Sequence, residues 1–258
     1  MSNKSPDFQR VSLAEVPIHK VTMIELIDSC ENAIKYRTPL QLGMVNVAKL
    51  VNCRKDGELR RSVVDSDIIA ADGQGVVWLS RLAGCPLPER VAGIDVMYTL
   101  MQRAAQKQYR IFFLGAKPDV LETVIQKAQR DYPGLQVAGS RDGYFDLEAE
   151  GRQVAEQIRD SNADILFVAI TPPKKELFLD RFKTVLNVPV CHGVGGSFDV
   201  FAGVTKRAPL WMQKAGLEWF YRVIQEPRRM WKRYFVTNSI FLLLSIPEIL
   251  RHRLGRIK

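Results

Sequence analysis

Cysteine and histidine are scarce in this chain of 258 residues. Its four cysteines, Cys30, Cys53, Cys85 and Cys191, form no CxxC pair, and its three histidines fall in no HxxxH or HExxH cluster. A disulfide framework and a structural zinc site are thereby disfavoured, and a reducing compartment is the expected setting. The opening stretch MSNKSPDFQR lacks the apolar run of a secretory signal, so no cleaved leader is expected. Neither a full GxGxxG fingerprint nor a Walker loop occurs, which weighs against a nicotinamide-dependent oxidoreductase. Glycine-rich RNA-binding signatures are missing too, so nucleic acid is not an expected partner. No internal repeat or low-complexity segment interrupts the chain, and no linker stands out before about Gly203.

What the chain does have is apolar content and a lopsided charge. At 47% hydrophobic residues it can bury a full core, and its length suits one large α/β domain with an appendage. Between Arg207 and Lys258 eleven lysines and arginines face three glutamates, so this end carries +8 of the formal +9. Its cations alternate with aromatics: Arg228, Arg229, Lys232 and Arg233 interleave with Met230, Trp231, Tyr234 and Phe235. The apolar run that follows, Ile240 to Ile246, is far short of the ~20 residues that cross a bilayer. Such a segment is expected to lie on an anionic membrane surface. The bland alternative is a solvated basic helix.

Six short apolar stretches, PLQLGMV, DIIAA, RIFFLGA, LQVAGS, DILFVAI and VPVCHGVGG, alternate with stretches of helical period such as KPDVLETVIQKAQRDY. That pattern predicts a Rossmann-like α/β fold, a largely parallel sheet with helices on both faces. The core is expected over residues 1–204 and a basic, aromatic-rich helical appendage over 205–258. Ligands of such sheets gather beyond the carboxyl ends of the strands. The residues at those junctions are Asn46, then Asp72 with Gly73 and Gly75, Gly115 with Lys117, Asp142 with Gly143, the stretch Thr171 to Glu176, and Gly193 with Gly195 and Gly196. Glycines there can bring backbone N–H groups close to a phosphate, although many serve turn geometry alone. Asp72 on this reading is either a base or the N-cap of a helix starting near Gln74. His192, after a strand, reads as packed or hydrogen-bonded.

The blocks VNVAKL, ADGQGVVW, ERVAGIDVM, FFLGAKPDV, DGYF, PPKKELF, GVGGSFDVFAG and KRAPLWMQKAGLEWFYRVIQEPRR resemble, in this order, the WecG/TagA/CpsF family of glycosyltransferases. The likeness covers roughly Val11 to Arg233. It implies inverting transfer of a sugar from a nucleotide diphosphate (a UDP- or GDP-sugar) to a polyprenyl-diphosphate-linked saccharide in cell-envelope polysaccharide synthesis. The site is then peripheral, on the cytoplasmic face of the inner membrane. The resemblance assigns Asp72 as general base and needs no metal or cofactor. Donor contacts are expected from Asn46, Gly73, Gly75, Arg90, Asp95, Gly115, Lys117, Lys174, Lys175, Glu176, Gly193, Gly195 and Gly196. Arg90 and Asp95 could instead be a simple ion pair, and Glu176 a surface carboxylate. Arg207, Arg222, Arg228, Arg229, Lys232 and Arg233 are expected at the acceptor diphosphate and the membrane, since a guanidinium grips phosphate bidentately. Two departures stand out: Met44 replaces a threonine of some members, and Lys175 replaces the usual glutamine. They leave the donor open between an N-acetylmannosamine nucleotide and those of glucose, mannose or glucuronate. Homo-oligomer formation is also left open. The competing classes are an oxidoreductase and a non-catalytic membrane scaffold, and neither accounts for both the glycine-rich rim and the basic end.

Overall fold

The computed structural model of the chain describes residues 8–254. It opens with a hairpin, β1 (Arg10–Leu13) and β2 (Val16–His19), followed by α1 (Met23–Tyr36). Helix α1 starts at a capping box in which the Thr22 side chain takes the Glu25 N–H while Glu25 reaches back to the Thr22 backbone. Then come β3 (Leu40–Val45), α2 (Val47–Lys55), α3 (Gly57–Val64), β4 (Ile68–Ala71), α4 (Gln74–Leu82) and α5 (Gly93–Lys107). The second half runs β5 (Arg110–Gly115), α6 (Pro118–Asp131), β6 (Gln136–Arg141), α7 (Gly151–Asp160), β7 (Ile165–Ala169), α8 (Lys174–Arg181), α9 (Lys183–Leu186) and β8 (Val190–Gly193). Four helices end the described chain: α10 (Ser197–Ala202), α11 (Leu210–Lys214), α12 (Glu218–Gln225) and α13 (Pro227–Leu254).

All six predicted strands form, and they join one parallel sheet in the order β4-β3-β8-β7-β5-β6. Alternate strand residues feed opposite faces, as the two-residue period requires. Phe113 and Phe167 pack under α1, α5, α6 and α10. Phe112, Leu114, Leu166 and Val168 face α7, α8 and α9, while α2, α3, α4 and the hairpin cover β3 and β4 on that same side. The central strands are buried throughout, which is why they read as continuous apolar runs. Gly115, at φ +120°, allows β5 to end against β7: a Cβ there would meet the Ala169 carbonyl at 2.5 Å.

The hairpin was not foreseen. Its turn residues Ala14 and Glu15 both adopt positive φ (49° and 66°), a conformation usually signalled by Asn or Gly. Strand β2 lies against β4, and His19, buried, accepts the Ile69 N–H at 2.8 Å through Nδ1.

The appendage corrects one expectation. Ile240 to Ile246 is part of a continuous helix, within which Met230–Leu250, 21 residues, is long and apolar enough to cross a membrane by length and composition. Helix α13 instead packs along α2 and α4, with Phe241 and Ile249 joining their core. Phe235, Leu242, Leu243, Ile246 and Leu250 remain exposed.

Candidate active site

Asp72 follows the last residue of β4, where its backbone N–H bonds Val45 of the neighbouring β3. The N-cap of α4 is Gly73, with no side-chain cap bond, so Asp72 does not cap the helix that follows it. Its Oδ1 accepts the N–H of Gly93 at 2.9 Å, the first residue of the distant helix α5. From the other side His192, at the end of β8, bonds the Gly93 carbonyl through Nε2 at 2.8 Å. His192 is fully buried, and desolvation pushes its pKa down to about 4. The ring is therefore a neutral strut at pH 7, with Nε2–H the donor. Asn46 caps α2 by accepting the Lys49 N–H at 3.0 Å. It also backs the Asp72 turn: a Cβ on Gly73 would lie 3.1 Å from the Asn46 Cβ.

Beside this carboxylate stands a buried charge cluster. Glu176, 5% exposed, holds Lys49 at 3.0 Å and Lys175 at 3.1 Å, both through Oε1. Burial alone would raise the Glu176 pKa, but the two ammoniums outweigh it and hold the carboxyl at about 2. Desolvation, reinforced by Lys49, lowers Lys175 to about 8, against the opposing pull of Glu176 and Asp72. The Lys175 stem crosses the end of β8 so closely that a Cβ on Gly193 would sit 2.8 Å from its Cδ and Cε. A cavity of about 20 Å³, lined in part by Gln41, Ser62, Ser66 and Glu176, lies against the cluster, room for about one water.

The structure thus brings Asp72, Asn46, Gly73, Lys175, Glu176 and Gly193 to the ends of β4, β3 and β8. Gly195 and Gly196 continue that turn, with Gly195 at φ +53°. Other expected residues go elsewhere. Lys174 turns to the carbonyls of Gly143 and Phe145 and lies over the Phe145 ring at 4.2 Å. Gly75 lies in the first turn of α4, where a Cβ would strike Val47 at 2.8 Å. Gly115 and the exposed Lys117 stand at β5, three strands from β3. Arg90 and Asp95 do form ion pairs, but not with each other. Asp95 grips Arg207 bidentately at 2.7 and 2.8 Å, and Arg90 pairs with Glu218 at 2.7 Å. Arg222, Arg228 and Lys232 are exposed on α12 and α13, whereas the side chains of Arg229 and Arg233 lie outside those described.

Sequence reasoning missed Lys49 and Gly93. Lys49 stands three residues beyond Asn46, one helical turn into VNVAKL, and that spacing was the available signal. The chain's Asp-x-Asp triplet, Asp65 to Asp67, precedes β4 at the opposite end of the sheet, where Asp67 holds the Gln41 N–H and Lys183. An open groove of about 630 Å³, lined by Leu121, Ser140, Arg141 and Asp142 among others, lies at the β6 edge, far from Asp72.

Comparison with known proteins identifies the family of the chain. A profile of the Glycosyl transferase WecG/TagA/CpsF family matches residues 11–255. An N-acetylglucosaminyldiphosphoundecaprenol N-acetyl-beta-D-mannosaminyltransferase of Bacillus spizizenii (strain ATCC 23059 / NRRL B-14472 / W23) is 40% identical over 197 residues, 75% of this chain and 72% of that protein. Its namesake in Bacillus subtilis (strain 168) is 37% identical over 241 residues, 93% and 89% of the two chains. With most of its length matched, the chain belongs to the WecG/TagA/CpsF family and is a glycosyltransferase.

Proposed function

We propose that the protein moves a sugar from a nucleotide diphosphate donor to a polyprenyl-diphosphate-linked saccharide, with inversion at C1 and Asp72 as general base. The observation that carries this reading is the fixed carboxylate at the end of β4: Oδ1 is occupied by Gly93, and Oδ2 has no hydrogen bond among the described residues. Asp72 takes the proton of the acceptor hydroxyl, whose oxygen attacks C1 as the bond from C1 to the donor phosphate oxygen breaks. The nucleoside diphosphate leaves with the electron pair. Its growing charge is met by cationic side chains at the Gly193 to Gly196 turn, with no metal. The relatives' names support an undecaprenyl-diphosphate N-acetylglucosamine acceptor and an N-acetylmannosamine donor. Met44 and Lys175 leave room for another UDP- or GDP-hexose. Reaction at the cytoplasmic membrane surface follows from such an acceptor, with Arg222, Arg228, Arg229, Lys232 and Arg233 drawn to its diphosphate and to anionic lipid, while Arg207 stays with Asp95.

The test is Asp72→Asn, assayed in EDTA. The carboxamide oxygen can still accept the Gly93 N–H, so the fold and donor binding persist, while transfer falls by about two to four orders of magnitude. Near-normal turnover would leave Asp72 only an anchor for α5, and wild-type activity that vanishes in EDTA would overturn the metal-free mechanism.

A further inference from the structure

The cluster of Lys49, Glu176 and Lys175 plays no part in orienting Asp72. Burying a carboxylate is costly unless it is paired, and Glu176 is paired twice, leaving one positive charge in excess. That excess sits where screening is weak and a charge acts strongly on its neighbours. Glu176 faces lysines from two helices, so it is built to hold cations. Of those cations, Lys49 lies in α2, and Lys175 reaches across Gly193 to the glycine turn, with its Nζ 4.0 Å from where a Gly195 Cβ would be. Lys175 is near enough to Asp72 to feel its charge, yet no ion pair joins them. The two groups therefore stand more than 4 Å apart, on different strand ends. Lys174 is already spent on Gly143 and Phe145.

We propose that Lys175 is the cation that meets the departing diphosphate, and that Glu176, anchored by Lys49, is the positioning residue that holds its ammonium there. This rests on the glycosyl-transfer reading above and narrows it to one lysine. The charged groups facing Lys175 are Lys49 from α2, Glu176 on α8, Asp72 after β4 and, from β8, His192, which is neutral at pH 7. Desolvation puts loss of the Lys175 proton near pH 8, so turnover should decline on the alkaline side from about that pH.

The experiment is the pH profile of kcat for the full-length protein and the variants Lys175→Met, Lys175→Gln, Glu176→Gln and Lys174→Met, each first checked for an unchanged melting temperature. Both Lys175 variants should lose 10²-fold or more in kcat, with a smaller change in donor KM, and should lose the alkaline decline. Glu176→Gln leaves the two ammoniums unopposed, so its decline should move to lower pH by a unit or more. Lys174→Met should keep the wild-type profile. If Lys175→Gln turns over at the wild-type rate, or Glu176→Gln leaves the alkaline limb in place, the inference is wrong while glycosyl transfer stands. If Lys175 variants do not fold, the Glu176→Gln limb alone decides. If the wild type transfers from no sugar nucleotide, both readings fall together.

Discussion

Gly93 is gripped from two sides, its N–H by Asp72 and its carbonyl by His192. The neutral imidazole therefore belongs to the folded state, and protonating it should cost stability. The folded His192 pKa of about 4 lies below the ordinary 6.5, so the unfolded chain binds the proton first. Stability is full above pH 6.5 and is lost as pH falls toward 4, by on the order of 3 kcal/mol. Glu176 adds a separate loss below pH 4.5, since its folded value is also depressed. Urea midpoints should fall between pH 7 and pH 4.5 in the wild type and much less in His192→Gln. An equal fall in both would put the acid sensitivity elsewhere. At this scale the sequence was partly legible. Asp72 could be found because it ends an apolar run and a glycine follows. Lys49 was harder to find, because despite its spacing from Asn46 a lysine in the first turn of a helix reads as solvated until the burial of Glu176 is known.

Elements reveal what single junctions hide. The chain beyond Gly203 is fastened to the core by a charge chain, Asp95 to Arg207 and Arg90 to Glu218, with the Arg207 Nε 3.9 Å from Glu218. It ties the residues around α11 and α12 to the start of α5, the same helix whose first N–H orients Asp72. Asp95 is 38% exposed, so solvent discounts the pair despite its bidentate geometry. A double-mutant cycle of Asp95→Asn with Arg207→Met should show a coupling of about 1 kcal/mol. A coupling near zero would mean that packing alone holds the appendage. The six sheet strands were legible because both faces are buried and the apolar runs are unbroken. The ion pairs were not, because their partners lie more than a hundred residues apart.

For the molecule as a whole, the basic end and the apolar outer face of α13 coincide. Lying in an interface suits the observed packing, since crossing a bilayer would strip Phe241 and Ile249 from the core formed with α2 and α4. Vesicle binding should then need both anionic lipid and apolar contact. Each Lys or Arg near such a surface contributes on the order of 1 kcal/mol, screened by salt. Sedimentation with anionic liposomes should weaken as salt rises. The variant Leu242→Ser, Leu243→Ser, Ile246→Ser should bind less at every salt concentration with its melting temperature unchanged. Full binding by that variant would place the contact on α12, where Trp219, Phe220 and Ile224 are also exposed.

The strand that presents Asp72 is the last in its sheet, and the margin of a sheet is where foreign strands attach. Here the early hairpin lies against β4, and a histidine imidazole takes the Ile69 N–H that an added strand would seek. Strand addition by another polypeptide, the common route to uncontrolled association, is thereby obstructed on the side that carries the carboxylate. The opposite margin, β6, is five strand spacings away, about 24 Å. Self-association by sheet extension would therefore leave the reacting end of the molecule free.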